Sequence, residues 1–396
     1  MLAVPLSNTN TLPPPDANAL AISTTLLLQI RAAIAAAGGW LPFERYMHLA
    51  LYAPGLGYYS AGSHKLGAGG DFTTAPEQST LFGQTVAQQL VELIHSGLDT
   101  IIELGAGSGA LAHSVLLELA QCNALPDRYA ILEVSPDLRA RQHTRLQTQL
   151  PPALFARIDW LDTLPSQCSA AVIANEVLDA IPSHRVRLHQ GQYLEQGVVC
   201  QDQALAWDYR PATGALLAAA QALGLDEGYE TEINLAAQAL IADLGIRLNR
   251  GVILCIDYGF PAHEYYHPQR NQGTLMCHYR HHAHTDALLW PGLQDITTHV
   301  NFSAIAKASP LLTLCGYTQQ AQFLINCGIT DLLSATDPRD TQRYLPLATQ
   351  AQTLLSPAEM GELFKVIALG RHWDGPLRGF SRGDKSHTLS RIPPAA

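Results

Sequence analysis

"IIELGAGSGALAHS", residues 101–114, decides the fold. An apolar run closes on Glu103 and Leu104, glycines follow at alternate positions (Gly105, Gly107, Gly109), and a helix-like stretch begins at once. Glycines allow a sharp turn and let a ligand reach the backbone amides, while the N-terminal end of the next helix carries partial positive charge. A strand, a glycine turn and a helix in that order form the nucleotide-type unit of an open parallel sheet. The glycines alone do not select the ligand, because Gly105, Gly107 and Ala110 also satisfy the looser dinucleotide pattern.

Working outward, short apolar runs alternate with helical periods: strand 100–104, helix 108–121, strand 129–134, helix 137–149, then strands at 156–161 and 170–175. Alternation of this kind predicts parallel strands joined by crossover helices. The pattern then breaks. Residues 184–210 alternate with period two around Gln-Gly and Gln-Asp turns, which predicts an antiparallel insertion, and a helix over 231–248 leads to a fifth buried strand, "GVILCIDYG" (251–259). A polar loop rich in His and Tyr (262–300), a helix over 303–314, and strands at 316–321 and 363–369 complete the expectation. The predicted fold is α/β, a seven-stranded Rossmann-like sheet with an N-terminal helical cap and inserted lid segments. Its divisions are a flexible start (1–19), a cap (20–98), a core (99–371) carrying insertions at about 184–245 and 262–300, and a flexible tail (372–396).

Composition narrows the function. With 47% hydrophobic and 15% charged residues the chain can bury a large core, and its net charge of −10 lacks the basic surface that nucleic acid requires. Apolar runs are short and interrupted, so no membrane-spanning segment is expected, and no Lys or Arg precedes Arg31, which argues against a targeting signal. Seven singly spaced cysteines predict free thiols in a reducing, cytoplasmic setting.

The acids discriminate where the glycines do not. A carboxylate two residues before the first glycine, Glu103, would repel a pyrophosphate but suits the cationic methionine portion of S-adenosylmethionine. Glu133 closes the next strand, where doubly wound folds set a carboxylate against ribose hydroxyls, and Asp162 follows the third strand as a candidate for the adenine amine. "VIANEVLDAIPSHRV" places Asn175 and Glu176 at the carboxyl end of the fourth strand, with Asp179 one turn on. Two carboxylates there would hold the plane of a guanidinium. Asp257 ends the fifth strand beside that loop and is expected to line the acceptor side, or else to cap a turn.

Several stretches together resemble the MidA family of S-adenosylmethionine-dependent methyltransferases, which includes the mitochondrial assembly factor for respiratory complex I. These are "FERYMHLALYAPGLGYYS", "GAGGDFTTAPEQSTLFG", "IELGAGSGAL", "ANEVLDAIPSHR", "CIDYG", "RNQGTLMCHYRHHAH" and "PGLQDITTHVNFSAIA", in order, over most of residues 40–330. The resemblance implies a class I methyltransferase core, S-adenosylmethionine as donor and a protein arginine as acceptor. Glu103, Gly105, Gly107 and Gly109 then carry the donor loop and Glu133 the ribose acid.

Within "GGDFTTAPE" (69–77), Gly70 and Asp71 belong to a glycine-rich loop able to close over the cofactor from the cap, with Glu77 at its end. His278, His281, His282 and His284 tempt a metal assignment. Gly273 upstream and the absence of helical periodicity argue for a loop, and methyl transfer needs no metal, so the segment is expected to be a lid over the acceptor cleft. Two other functions share these features: an NAD-type oxidoreductase using the same glycines, and an assembly protein that binds the cofactor while docking a partner.

Overall fold

The computed structural model describes residues 7, 9, 12–61 and 74–391. Its centre is Cys168–Asn175, whose Ala170–Ala174 are all at most 1% exposed, as a strand covered on both faces must be. In chain order the main sheet comprises β1 (Thr100–Leu104), β2 (Arg128–Leu132), β3 (Ile158–Leu161), β4 (Cys168–Asn175), β5 (Leu248–Phe260), β6 (Thr313–Gln319) and β7 (Phe364–Arg371). They lie in the order β6-β7-β5-β4-β1-β2-β3. β1 to β5 pair in parallel, and β7 runs antiparallel between β5 and β6. The two-residue strand Val300–Asn301 adds to the end of β5. Strand order reverses between β1 and β4, and the crevice at their carboxyl ends is where such sheets bind ligands.

Alternate residues of each strand serve opposite faces. Ile101, Tyr129, Ile131, Ala171 and Ile173 join a core with the helices Thr80–His95 and Ala110–Gln121. Ile102, Ala130, Val172 and Ala174 join a second core with Leu235–Arg247 and Phe302–Ala306. Thr80–His95, expected in the cap, therefore belongs to the sheet.

Elsewhere the expectations need correction. The predicted helix 231–248 is a strand, Glu230–Ile233, followed by a helix that Asn234 caps and that runs only over Leu235–Arg247. The strand pairs with His184–His189, which pairs with Gln192–Gln201. That last strand holds Ala204–Pro211 and also Leu41–Pro42 of the cap, so cap and insertion share one sheet. The helix expected over 303–314 is confined to Phe302–Ala306.

The 262–300 segment is not a loop throughout: Met276–Tyr279, His282–His284 and Asp295–Thr297 form a small antiparallel sheet. Residues 372–391, expected to be flexible, are packed, with Trp373, Leu377, Phe380 and Leu389 buried and Gly379 N–H donating to Gln89 at 2.8 Å. Ala17–Ala36, where no spanning segment was expected, is long and apolar enough to cross a membrane by length and composition. Its Leu26, Ile30 and Ile34 are buried in a core shared with Phe43, Tyr46 and Met47.

Candidate active site

A cleft of about 870 Å³ opens at the carboxyl ends of β1, β2 and β4. Gly105, Gly107 and Gly109 turn its floor with φ of +60°, +55° and +84°, a region that costs other residues strain. A Cβ on Gly105 would stand 3.2 Å from Val177 Cγ2, so the first and fourth strand-end loops meet at this glycine.

Glu103 is buried on that floor and accepts from the Tyr129 hydroxyl at 2.7 Å. Burial pushes its carboxyl up to about 7, with Tyr129 pulling down and Glu133 pushing up. Glu133 accepts from Ser135 N–H and from Gln142 Nε2, both at 2.9 Å, and the same Nε2 donates to the Gly107 carbonyl at 2.9 Å. One glutamine thus ties the glycine turn to the acid. Burial raises the Glu133 carboxyl while these donors restrain it. Arg145 links Ser108 (2.6 Å) to Glu77 (2.9 Å) on the lip.

Opposite, β4 ends in an unusual conformation. Glu176 has φ +52°, its N–H donates to the Ile256 carbonyl at 2.9 Å, and its Oε1 accepts from Asn175 Nδ2 at 3.2 Å. A non-glycine residue in the left-handed region at a strand end is the kind of strain that active sites retain. Burial and the neighbouring Asp179 push the Glu176 carboxyl up to about 8. Asp179 accepts from the Tyr258 hydroxyl at 2.5 Å through Oδ2, while its Oδ1 is buried without a hydrogen-bond partner, as is Asn175 Oδ1. Burial holds Asp179 up at about 6.

Glu103, Glu133, the three glycines, Asn175, Glu176 and Asp179 thus share one cleft. Two expected residues do not. Asp162 lies outside: its side chain is 87% exposed and pairs with Arg139 at 2.5 Å, because the chain beyond β3 turns to solvent beside the preceding helix, Pro136–Gln149. Asp257 is fully buried and is not among the residues lining the cleft. Its carboxylate accepts from Leu178 N–H (2.9 Å), Asp179 N–H (3.3 Å) and Tyr258 N–H (2.9 Å), so it positions the 176–179 turn from beneath instead of facing the acceptor. Gly70 and Asp71 fall outside the described residues.

The histidines sit on a hairpin whose turn, Arg280-His281, has φ of +45° and +64°. His278 and His281 line the cleft, and among the described residues no group of His, Cys, Asp or Glu could hold a metal. Tyrosines were missed. Tyr52 and Tyr59 stack at 5.5 Å along the cleft wall, Tyr52 donating to the Ala180 carbonyl (3.0 Å) and Tyr59 to Asp295 (2.9 Å). The available signal was the Tyr-rich "LALYAPGLGYYS", together with the rule that a buried acid such as Glu103 needs a donor.

The strand order with its antiparallel seventh strand, the glycine turn and the acid closing β2 define a Rossmann-like methyltransferase. Residues 83–318 match the family described as S-adenosyl-L-methionine-dependent methyltransferases, and the chain belongs to it. A solved superfamily member from Burkholderia thailandensis, bound to S-adenosyl-homocysteine, is 50% identical with a TM-score of 0.92, covering 96% of this chain and 100% of that one. Curated relatives include the mitochondrial protein arginine methyltransferase NDUFAF7 of Danio rerio (29% identical, covering 88% of this chain and 87% of that protein) and its Drosophila melanogaster homolog (30%, 90% and 89%).

Proposed function

We propose that the protein methylates an arginine side chain of a protein substrate. The observation that carries this is the acidic end of β4: Glu176 and Asp179 line the cleft together, and Asp179 keeps a buried carboxylate oxygen without a donor. A guanidinium supplies the missing N–H groups in a planar, bidentate array. The names of the curated relatives support arginine, and the S-adenosyl-homocysteine in the Burkholderia protein supports the donor site.

The bound donor supplies an electrophilic methyl on a sulfonium. Glu103 would hold its ammonium and Glu133 its ribose hydroxyls, and the glycine turn would let the donor approach the backbone closely. A guanidinium nitrogen forms the new bond to carbon as the sulfur–carbon bond breaks with its electron pair going to sulfur, and the guanidinium then releases one proton. Ionised Glu176 orients the nitrogen and takes that proton. Tyr52 and Tyr59 supply aromatic faces along the approach. Positioning and exclusion of water are the main demands of such a displacement.

The reading extends to a protein partner in place of nucleic acid, supported by the net charge of −10, and to a reducing, cytosol-like compartment, supported by seven free cysteines. The test is incubation with isotopically labelled S-adenosylmethionine and cell extract, followed by mass spectrometry of the labelled product. Methyl groups on arginine are expected, and label found only on lysine, RNA or a metabolite would overturn the assignment. Glu176→Gln should retain donor affinity and lose about 10²-fold or more in methyl transfer, roughly 3 kcal/mol of transition-state stabilisation.

A further inference from the structure

A second cavity, of about 550 Å³, opens on the same edge of the sheet, over the ends of β5 and β6 and the start of β7. Lys365, register partner of Asp257, is only 7% exposed there. Its ammonium donates to the carbonyls of Glu362 (2.5 Å) and Leu363 (3.1 Å) and lies 5.5 Å from the centroid of the Phe260 ring. It forms no ion pair among the described residues, and neither do Lys385 and Arg391, the two exposed cations on the rim. A buried cation whose direct partners are carbonyls and a ring lacks a contacting counter-charge, and an anion seated against it would supply one.

A separate observation points the same way. The Tyr317 hydroxyl and His263 Nδ1, both on residues lining this cavity, are buried without hydrogen-bond partners. Three acids line the cavity, Glu264, Glu359 and Glu362, and none forms an ion pair with Lys365 among the described residues: Glu362 accepts from Gln319 at 2.7 Å, and Glu264 lies beside His263 at 3.6 Å.

We propose that this cavity is an oxyanion site, holding a carboxylate or phosphate group against Lys365, with Lys385 and Arg391 attracting it from the rim. Burial lowers the Lys365 ammonium to about 8, with Glu264 and Glu362 pulling it up and Lys385 pulling it down, and a bound anion would raise it. Glu359 lines both this cavity and the main cleft, so a single wall separates the two. The anion has two sources: a free inorganic anion, or the acidic side chains of a protein segment. The second source rests on the protein-substrate reading, whereas the site itself does not.

The test is calorimetric titration of the full chain with inorganic phosphate and, separately, with an N-acetylated tetraglutamate peptide. Saturable binding of one ligand per chain is expected for at least one probe. Saturation by phosphate alone assigns a free anion, and tighter binding of the peptide assigns an acidic segment. Lys365→Met should abolish binding. Because that variant removes a buried side chain, the exposed pair Lys385→Ala with Arg391→Ala gives the decisive comparison: about tenfold weaker binding at unchanged melting temperature, with Arg343→Ala, at the exposed N-terminal end of the helix Thr341–Leu355, indistinguishable from wild type. No saturable binding of either probe, unchanged affinity in the rim variant, or equal loss in Arg343→Ala would each overturn the proposal, whatever the fate of the methyl-acceptor assignment.

Discussion

At the scale of single residues, strand-end acids look alike in sequence and diverge in space. Glu133 faces the cleft with two donors fixing its carboxylate, so Glu133→Ala should weaken S-adenosylhomocysteine binding by about 1.5–3 kcal/mol, tenfold or more, in a calorimetric titration. Wild-type affinity in that variant would remove the ribose role. Asp257 also ends a buried strand, yet its oxygens are used by three backbone N–H groups. Asp257→Asn retains one acceptor oxygen and turns an amide donor toward those N–H groups. It should cost about 2–4 kcal/mol in a denaturant titration, with donor affinity of the folded fraction changed only a few-fold. Full stability with a collapsed rate would instead make it a participant in the chemistry. Glu103, Glu133 and Glu176 were legible because the glycine turn fixes which end of the sheet they share. Asp162 and Asp257 were not, because a strand end does not reveal which way the chain turns next or whether backbone donors lie within reach.

At the scale of elements, the sheet was legible and its decorations were not. β1 to β5 carry apolar runs of ordinary length bounded by turns, whereas the 276–297 sheet is built from strands of three or four residues whose polar side chains hide any alternation. "TEI" at 231–233 reads as the start of a helix until its partner, His184–His189, supplies the ladder. The loop after β4 is where element and function conflict. Glu176 holds a left-handed backbone and a buried carboxyl, both unfavourable in the unliganded protein. Glu176→Gly relieves both, so the melting temperature should rise, by an increment equivalent to about 1 kcal/mol or more, while methyl transfer is lost. A fall in melting temperature would mean that the strained turn is held by the glutamate itself and not by Asp257 beneath it.

At the scale of the whole molecule, burying several acids in one cleft makes stability depend on pH, with a sign fixed by the direction of the shifts. Glu103 and Glu176 are held at about 7 and about 8, and an unfolded glutamate titrates near ~4.3. Between those values the folded chain retains protons that the unfolded chain has released. The contribution of these groups is therefore complete below ~4.3 and is lost as pH rises through about 7 and 8. Histidines act in the opposite sense, since burial lowers His278 to about 4 and His299 to about 3, and the unfolded imidazoles, half protonated near ~6.5, shed most of their protons only by about pH 7.5. Lys365, lowered to about 8, adds stability with rising pH only above that point. Asp257, which burial and the neighbouring Asp179 and Glu176 hold well above the usual carboxylate range, acts in the same sense as the glutamates, so the melting temperature should fall in the window from about 7.5 to 8. Glu103→Gln and Glu176→Gln should each flatten the slope, and the two together should flatten it further, leaving the share of Asp257. S-adenosylhomocysteine, whose ammonium favours ionised Glu103, should raise the melting temperature more at pH 8 than at pH 6.5. Calorimetric scans at a series of pH values, with and without that ligand, make the check, and a wild-type melting temperature that climbs through this window would show that the cleft is already ionised before any cation enters it.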